Sequence, residues 1–194
     1  RSWQQLWGVL HSTAAPTRST WANLLQEFTF LHLLRILLTP GYASRSAFTA
    51  WNVRWLSDTL GHGAAKRAII AAAALKQRVV AILETHWTIE ECAAWAHCFP
   101  ACKVISTPAR QGRRNLRQGG VALVIPPSYE LIQHSILSEG CAIQATMRHI
   151  PTGEEFCIHA IYLPPDDRDA VLRTISTHHS SSARNYYTGD LNFD

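Results

Sequence analysis

Val79-Val80-Ala81-Ile82-Leu83 is a short, continuous apolar run, and Glu84-Thr85-His86-Trp87 follows it directly. A run of this length without polar alternation fits a strand covered on both faces, which needs other elements packed on either side. The flanks supply candidates. Upstream, His62 to Lys76 is alanine-rich and predicts a helix. Downstream, Glu90 to Phe99 predicts a second helix and Lys103 to Ser106 a strand.

The same grammar continues outward. Phe48 to Val53 reads as a strand, and after an arginine-rich loop Gly119-Gly120 opens another, Val121 to Ile125. Ala142 to Ile150 and Glu155 to Leu163 alternate apolar and polar residues, with the turn residues Pro151-Thr152-Gly153-Glu154 between them, so a β-hairpin is expected. Asp166-Asp167 would cap a helix reaching to about His178, and Asn185 to Leu191 reads as a last strand. Helix-separated strands together with a hairpin meander define an α/β or α+β fold.

The chain has 194 residues, 47% of them hydrophobic and 16% charged, which excludes wholesale disorder and suits one domain with an extra segment. Residues 1–46 differ from the rest. They hold Trp3, Trp7 and Trp21 and a helical apolar stretch from Leu24 to Leu38, stopped by Thr39-Pro40-Gly41. We expect an N-terminal extension, helical or poorly ordered, over 1–46 and the folded domain over 47–194. Arg1 rather than Met opens the chain and Asp194 follows a strand-like run directly, so a fragment at both ends is expected. The greasiest stretch, Phe28 to Leu38, is interrupted by His32 and Arg35 and is too short to span a bilayer. No membrane partner is expected.

Five irregularly spaced cysteines argue against a disulfide framework and for a reducing, intracellular compartment. Cys92, Cys98 and Cys102 with His97 match no common zinc spacing and read as buried thiols. The net charge of +4 divides into +3 for residues 1–46 and +1 for the remainder. One basic concentration stands out, Arg110, Arg113, Arg114 and Arg117. It reads either as a solvated loop or as a nucleic-acid contact that neutralises phosphates.

Three strands end in oxygen-bearing side chains: Trp51-Asn52-Val53-Arg54, Leu83-Glu84-Thr85-His86, and Gly189-Asp190-Leu191-Asn192. Such residues are ordinarily solvated strand ends. Gathered together, Glu84, Asp190, Asn52 and Asn192 would also suit Mg²⁺, which takes few protein ligands and keeps waters for a phosphate substrate.

With Gly119-Gly120-Val121-Ala122 and Tyr162-Leu163-Pro164-Pro165 added between them, these motifs occur in a family-like order. From Phe48 to Asp194 the chain resembles the endonuclease/exonuclease/phosphatase superfamily. Within it, the chain is most similar to the apurinic-type endonuclease domain of non-LTR (LINE-like) retrotransposons. The resemblance implies a four-layered α/β sandwich, truncated at its C-terminus, that hydrolyses phosphodiesters with Mg²⁺, or Mn²⁺ as a substitute. It implies that Glu84 binds the metal, with Asn52 supporting it. Tyr162 would touch the scissile phosphate, Asp190 would orient or deprotonate the attacking water, and Asn192 would help hold the phosphate. DNA is the implied partner, cut before reverse transcription by a reverse transcriptase domain downstream, with nuclear localisation if the target is chromosomal.

Departures from the family pattern qualify the expectation. Arg54 stands where the repair enzymes carry an acidic residue, and Leu83 replaces the usual glutamine. The family's later aspartate and Ser-Asp-His motif do not occur before Asp194. Two alternatives therefore stand beside the endonuclease. One is a phosphatase of the same fold acting on phosphoinositides or sphingomyelin. The other is a catalytically dead retroelement remnant that at most binds nucleic acid.

Overall fold

Two four-stranded sheets face each other across the core of the computed structural model, which describes residues 48–54, 56, 61–112, 116–178 and 184–191. All of these lie in one compact unit, Ser46–Asp194. The extension expected over 1–46, and with it the apolar stretch Leu24 to Leu38, lies outside the described residues.

The first sheet has the order β1-β2-β6-β3 and is built from β1 (Phe48–Asn52), β2 (Val79–Leu83), β3 (Lys103–Thr107) and β6 (Val121–Ile125). Here β1 and β2 run parallel, while β6 is antiparallel to both β2 and β3. The parallel pair is joined through α1 (Gly61–Leu75), as a parallel connection requires a crossover. All five residues of β2 are buried, as its unbroken apolar run predicts. On this sheet's outer face α1 packs on β2 and α2 (Ile89–His97) packs on β3. Thr88 and Glu91 form a capping box at the start of α2: the Thr88 amide donates to Glu91 Oε2 at 2.7 Å, and the Glu91 amide to Thr88 Oγ1 at 3.2 Å.

The second sheet has the order β10-β9-β8-β7, from β7 (Tyr129–Ser138), β8 (Ala142–His149), β9 (Glu155–Tyr162) and β10 (Arg184–Asp190). β7, β8 and β9 form an antiparallel meander, and β10 joins β9 in parallel after α3 (Arg168–Ser176). The hairpin expected between β8 and β9 is present. Its second strand is buried along seven of eight residues, because one face meets the core and the other lies under α3.

Inward side chains of both sheets interlock: Ala81, Leu83, Leu123 and Ile125 meet Ile143, Met147, Ile158 and Ala160. Burying a Leu or Ile contributes about 1.5–3 kcal/mol. Half-exposed pairs such as Arg148–Glu130 and Arg148–Glu155, at 2.8 and 2.6 Å, contribute at most about 1 kcal/mol each. The core, not the ion pairs, holds the sandwich.

Three expectations are corrected. β7 was not foreseen: its pairing with β8 shifts register at Leu131/Gln133 and Ile136/Ser138, and these irregularities erase the alternation that would reveal a strand. The arginine-rich segment is not simply a loop, since its ends pair as β4 (Arg110–Gln111) and β5 (Arg117–Gln118). The cysteines near α2 are not buried thiols: Cys98 is exposed, and Cys92 and Cys102 are half-buried. Burial still raises the Cys92 and Cys102 thiols above their ordinary pKa. Among the described residues no helix is long and apolar enough to cross a membrane.

Candidate active site

Parallel pairing brings strand ends together. Because β1 and β2 run side by side with Asn52 opposite Leu83, the next residue, Glu84, emerges at the same edge as Asn52. In the other sheet, Asp190 of β10 lies opposite Tyr162 of β9. β1 faces β10 and β2 faces β9 across the core, so all four residues collect at one end of the sandwich.

Two side-chain hydrogen bonds cross from sheet to sheet. Asn52 Nδ2 donates to Asp190 Oδ2 at 2.5 Å. The Tyr162 hydroxyl donates to Glu84. The Asn52 amide is held the right way round, since its Oδ1 accepts from the Arg54 amide at 3.0 Å and leaves the NH₂ for Asp190. Burial, and then the negative charge of Glu84, push the Tyr162 phenol up to about 12. A donated hydrogen bond from Gln118 opposes the rise, and Asp190 adds to it. The phenol is therefore a proton donor, not a base, at any ordinary pH.

The backbone around these residues is unusual. Of the four non-glycine residues with positive φ among the described residues, three flank the site: Arg54 (41°), Glu84 (55°) and His86 (57°). Such conformations cost about 1–3 kcal/mol and persist only where surrounding contacts enforce them. Those contacts are present. Val53 N–H donates to Leu83 C=O at 3.0 Å, Thr85 N–H to Gly120 C=O at 3.1 Å, and His86 N–H to Gly119 C=O at 2.9 Å. Gly120 has φ +89°, and a Cβ there would collide with Thr85 Oγ1. A Cβ on Gly119 would meet the Gly140 carbonyl and sit 3.3 Å from the Tyr162 ring. Gly119-Gly120 thus permits a close backbone approach that seats the Glu84 loop.

Other charged side chains border this end. Lys66 Nζ donates to the Val53 carbonyl at 2.6 Å, and burial lowers its pKa. Arg110 Nη1 pairs with Asp167 Oδ2 at 2.6 Å. Arg117 Nη1 pairs with Glu91 Oε2 at 2.9 Å and donates to the His86 carbonyl at 3.1 Å. The two described arginines of the basic concentration therefore bind carboxylates of this chain. Arg113, Arg114 and Asn192 lie outside the described residues.

Asp167 departs from its expected role. It occupies the N-cap of α3, but its side chain makes no cap hydrogen bond. A cap bond is worth about 1 kcal/mol. The short, charge-assisted bond to Arg110 replaces it. Sequence reading also missed Gln118 and Lys66. Only the adjacency of Gln118 to the Gly119-Gly120 pair hinted at the first, and nothing in the local pattern marks the second.

The donor set is chemically narrow. Around Tyr162 stand two carboxylates, Glu84 and Asp190, with the Asn52 amide beside them. Among the described residues no three His, Cys, Asp or Glu side chains form a metal cage. Oxygen donors in this number fit Mg²⁺ or Mn²⁺, which complete their shells with water and phosphate oxygens.

No family model matches the sequence, and no curated protein matches it. Solved structures do. The chain overlays a conserved protein of unknown function from Enterococcus faecalis with a TM-score of 0.53 and 16% identity, covering 75% of this chain and 66% of that one. It overlays an endonuclease/exonuclease/phosphatase protein from Bacteroides vulgatus with a TM-score of 0.50 and 14% identity, covering 74% and 64%. An AP endonuclease, LMAP from Leishmania major, overlays at 0.47 with 16% identity, covering 74% and 54%. The chain spans less than two thirds of the latter two structures. Its fold is an α/β sandwich of the endonuclease/exonuclease/phosphatase type, with α1 and α2 outside one sheet and α3 outside the other.

Proposed function

We propose that this end of the sandwich is a divalent-metal phosphodiesterase centre that nicks DNA, in the manner of a retrotransposon endonuclease. The observation that carries it is the double bridge between sheets, Asn52 to Asp190 and Tyr162 to Glu84, which gathers two carboxylates, an amide and a phenol. Glu84, with support from Asn52, would hold the metal. When bound, Mg²⁺ supplies charge neutralisation at the phosphodiester and at the departing 3′ oxygen.

The chain's own groups divide the remaining work. Asp190 accepts a hydrogen bond from Asn52, which holds the carboxylate in place to orient an attacking water and take its proton. Tyr162 keeps its proton, because its pKa lies near 12, and can turn that one donor from Glu84 to a non-bridging oxygen of a bound phosphate. Asn192, two residues after Asp190, is assigned to the phosphate by the family resemblance alone. The retroelement preference follows Thr85-His86-Trp87 after Glu84, and is analogy.

The deciding experiment is nicking of supercoiled plasmid by the 194-residue chain with Mg²⁺, Mn²⁺ or EDTA, beside phosphate release from a phosphoinositide. Nicking that needs the metal and disappears in Glu84→Ala and Asp190→Ala supports the endonuclease. Phosphate release without nicking transfers the centre to the phosphatase reading. A chain that retains DNA at low salt and cuts nothing is the dead remnant.

A further inference from the structure

We propose that Arg110 is a positioning residue whose ion pair with Asp167 holds the segment following Tyr162 and so fixes the tyrosine hydroxyl against Glu84. The inference rests on the phosphodiesterase reading above and assigns Arg110 a different role from a nucleic-acid contact.

Asp167 is the first observation. It stands at the N-cap of α3, where backbone N–H groups are the nearest customary partners, yet its carboxylate turns away to Arg110 on β4. The Arg110 side chain is 25% exposed and that of Asp167 44%, so the pair is anchored from its basic end. The second observation is where the pair acts. Tyr162 N–H donates to the Cys141 carbonyl at 2.7 Å, Leu163 N–H to the Asp190 carbonyl at 2.9 Å, and Asp167 N–H to the Pro164 carbonyl at 3.2 Å. These bonds lead step by step from the site to the acidic end of the ion pair.

The basic end is anchored as well. Gly140 lies so close to Arg110 that a Cβ there would sit 3.0 Å from the Arg110 amide nitrogen and 3.5 Å from its Cγ. The Gly140 carbonyl accepts from Gly120 N–H at 2.8 Å, and the next residue, Cys141, receives Tyr162. Arg110 thus ties together the glycine pair behind Glu84, the turn before β8 and the segment after Tyr162. A guanidinium already committed to Asp167 has less charge to offer a phosphate, and more to offer this geometry.

The test uses the full chain and Arg110→Gln, Asp167→Asn and the reversed pair R110D/D167R. Asn is itself a good cap residue, so Asp167→Asn removes the ion pair while favouring α3. Without substrate, amide hydrogen exchange should speed about tenfold at Leu163 and Asp167 in both single variants. Exchange in β2 and β6 should stay unchanged, and the reversed pair should restore the slow rate. In nicking assays kcat should fall about tenfold to a hundredfold with KM nearly constant, as misplacement of a reacting group predicts. Unchanged exchange at Leu163 and Asp167 overturns the proposal, as does exchange that rises equally in every strand. A raised KM with unchanged kcat and a shallower salt dependence also overturns it, and makes Arg110 a phosphate contact. If the wild type nicks nothing under any metal, the phosphodiesterase reading fails, and the exchange data alone decide the positional claim.

Discussion

The Asn52 amide donates a 2.5 Å hydrogen bond to the Asp190 carboxylate although 138 residues separate them in the chain. The bond fixes which group at this position can be tolerated. Replacing Asn52 by Asp removes the donor and sets two carboxylates face to face, so one must take up a proton or both must move apart. We expect metal-free N52D to melt about 3–8 °C below wild type near neutral pH, equivalent to roughly 1–3 kcal/mol. Near pH 4, where carboxyls protonate, the gap should close. Thermal melts in EDTA at the two pH values check this, and coincident melts at neutral pH would remove the bond's importance.

Tyr162 makes a second prediction. Its phenol, pushed up to about 12 by burial and by Glu84, should be silent in a tyrosinate titration until about pH 11. The absorbance curves of wild type and Tyr162→Phe should therefore superimpose between about pH 9 and pH 11. The folded state holds this proton more tightly than the unfolded chain does. Its contribution to stability is thus complete below the ordinary phenol value of 10.0 and is lost as pH rises from there towards about 12. The same substitution should cut nicking about tenfold or more, through loss of a donor to the phosphate.

His159 governs the acid side. It is fully buried, its Nε2 lies 3.0 Å from Asn185 Oδ1, and its ring stacks on Tyr187 at 4.5 Å. Its Nδ1 has no hydrogen-bond partner among the described residues. Burial lowers its pKa, and the Asn185 bond opposes the shift only in part. Stability from the neutral ring is therefore complete above the ordinary histidine value of 6.5 and drains as pH falls below it, towards the lower folded value. Urea midpoints measured from neutral to mildly acidic pH should fall more steeply for wild type than for His159→Gln. Parallel slopes would clear His159 of that role.

Gly120 and Gly153 offer a controlled comparison. Both have positive φ, +89° and +71°, so an alanine at either is strained by its backbone alone, at about 1 kcal/mol or more. Around Gly153 nothing lies within 4 Å of the added methyl, whereas at Gly120 it would strike Thr85 Oγ1 and press on the His86 amide nitrogen at 3.1 Å. Gly120→Ala should cost at least about 1–2 kcal/mol more than Gly153→Ala in denaturant unfolding. Equal costs would show that the loop after β2 can yield.

What the sequence disclosed depended on how the information was stored. β2 and β6 are short runs buried on every residue, so composition alone marks them. β7 carries Glu130, Gln133, His134 and Ser135 through irregular pairing, and no period survives to be seen. Glu84, Asp190 and Asn52 stood out as oxygen-bearing side chains at strand ends, whereas Tyr162 came from the family resemblance. That Asn52 reaches Asp190, and Tyr162 reaches Glu84, is set by the packing of one sheet on the other, which no local pattern encodes. Asp167 shows the reverse case: a sound local rule for capping gave way to an arginine 57 residues away.

The bridge from β1 to β10 also has a timetable. Ribosomes add roughly 5–20 residues each second. Asn52 therefore waits on the order of ten seconds for a partner made 138 residues later. Through most of that interval the growing polypeptide carries Glu84 without Asp190, and later Tyr162 without its neighbouring strand. The bridge between the sheets closes in a single late event, when β10 docks beside β9.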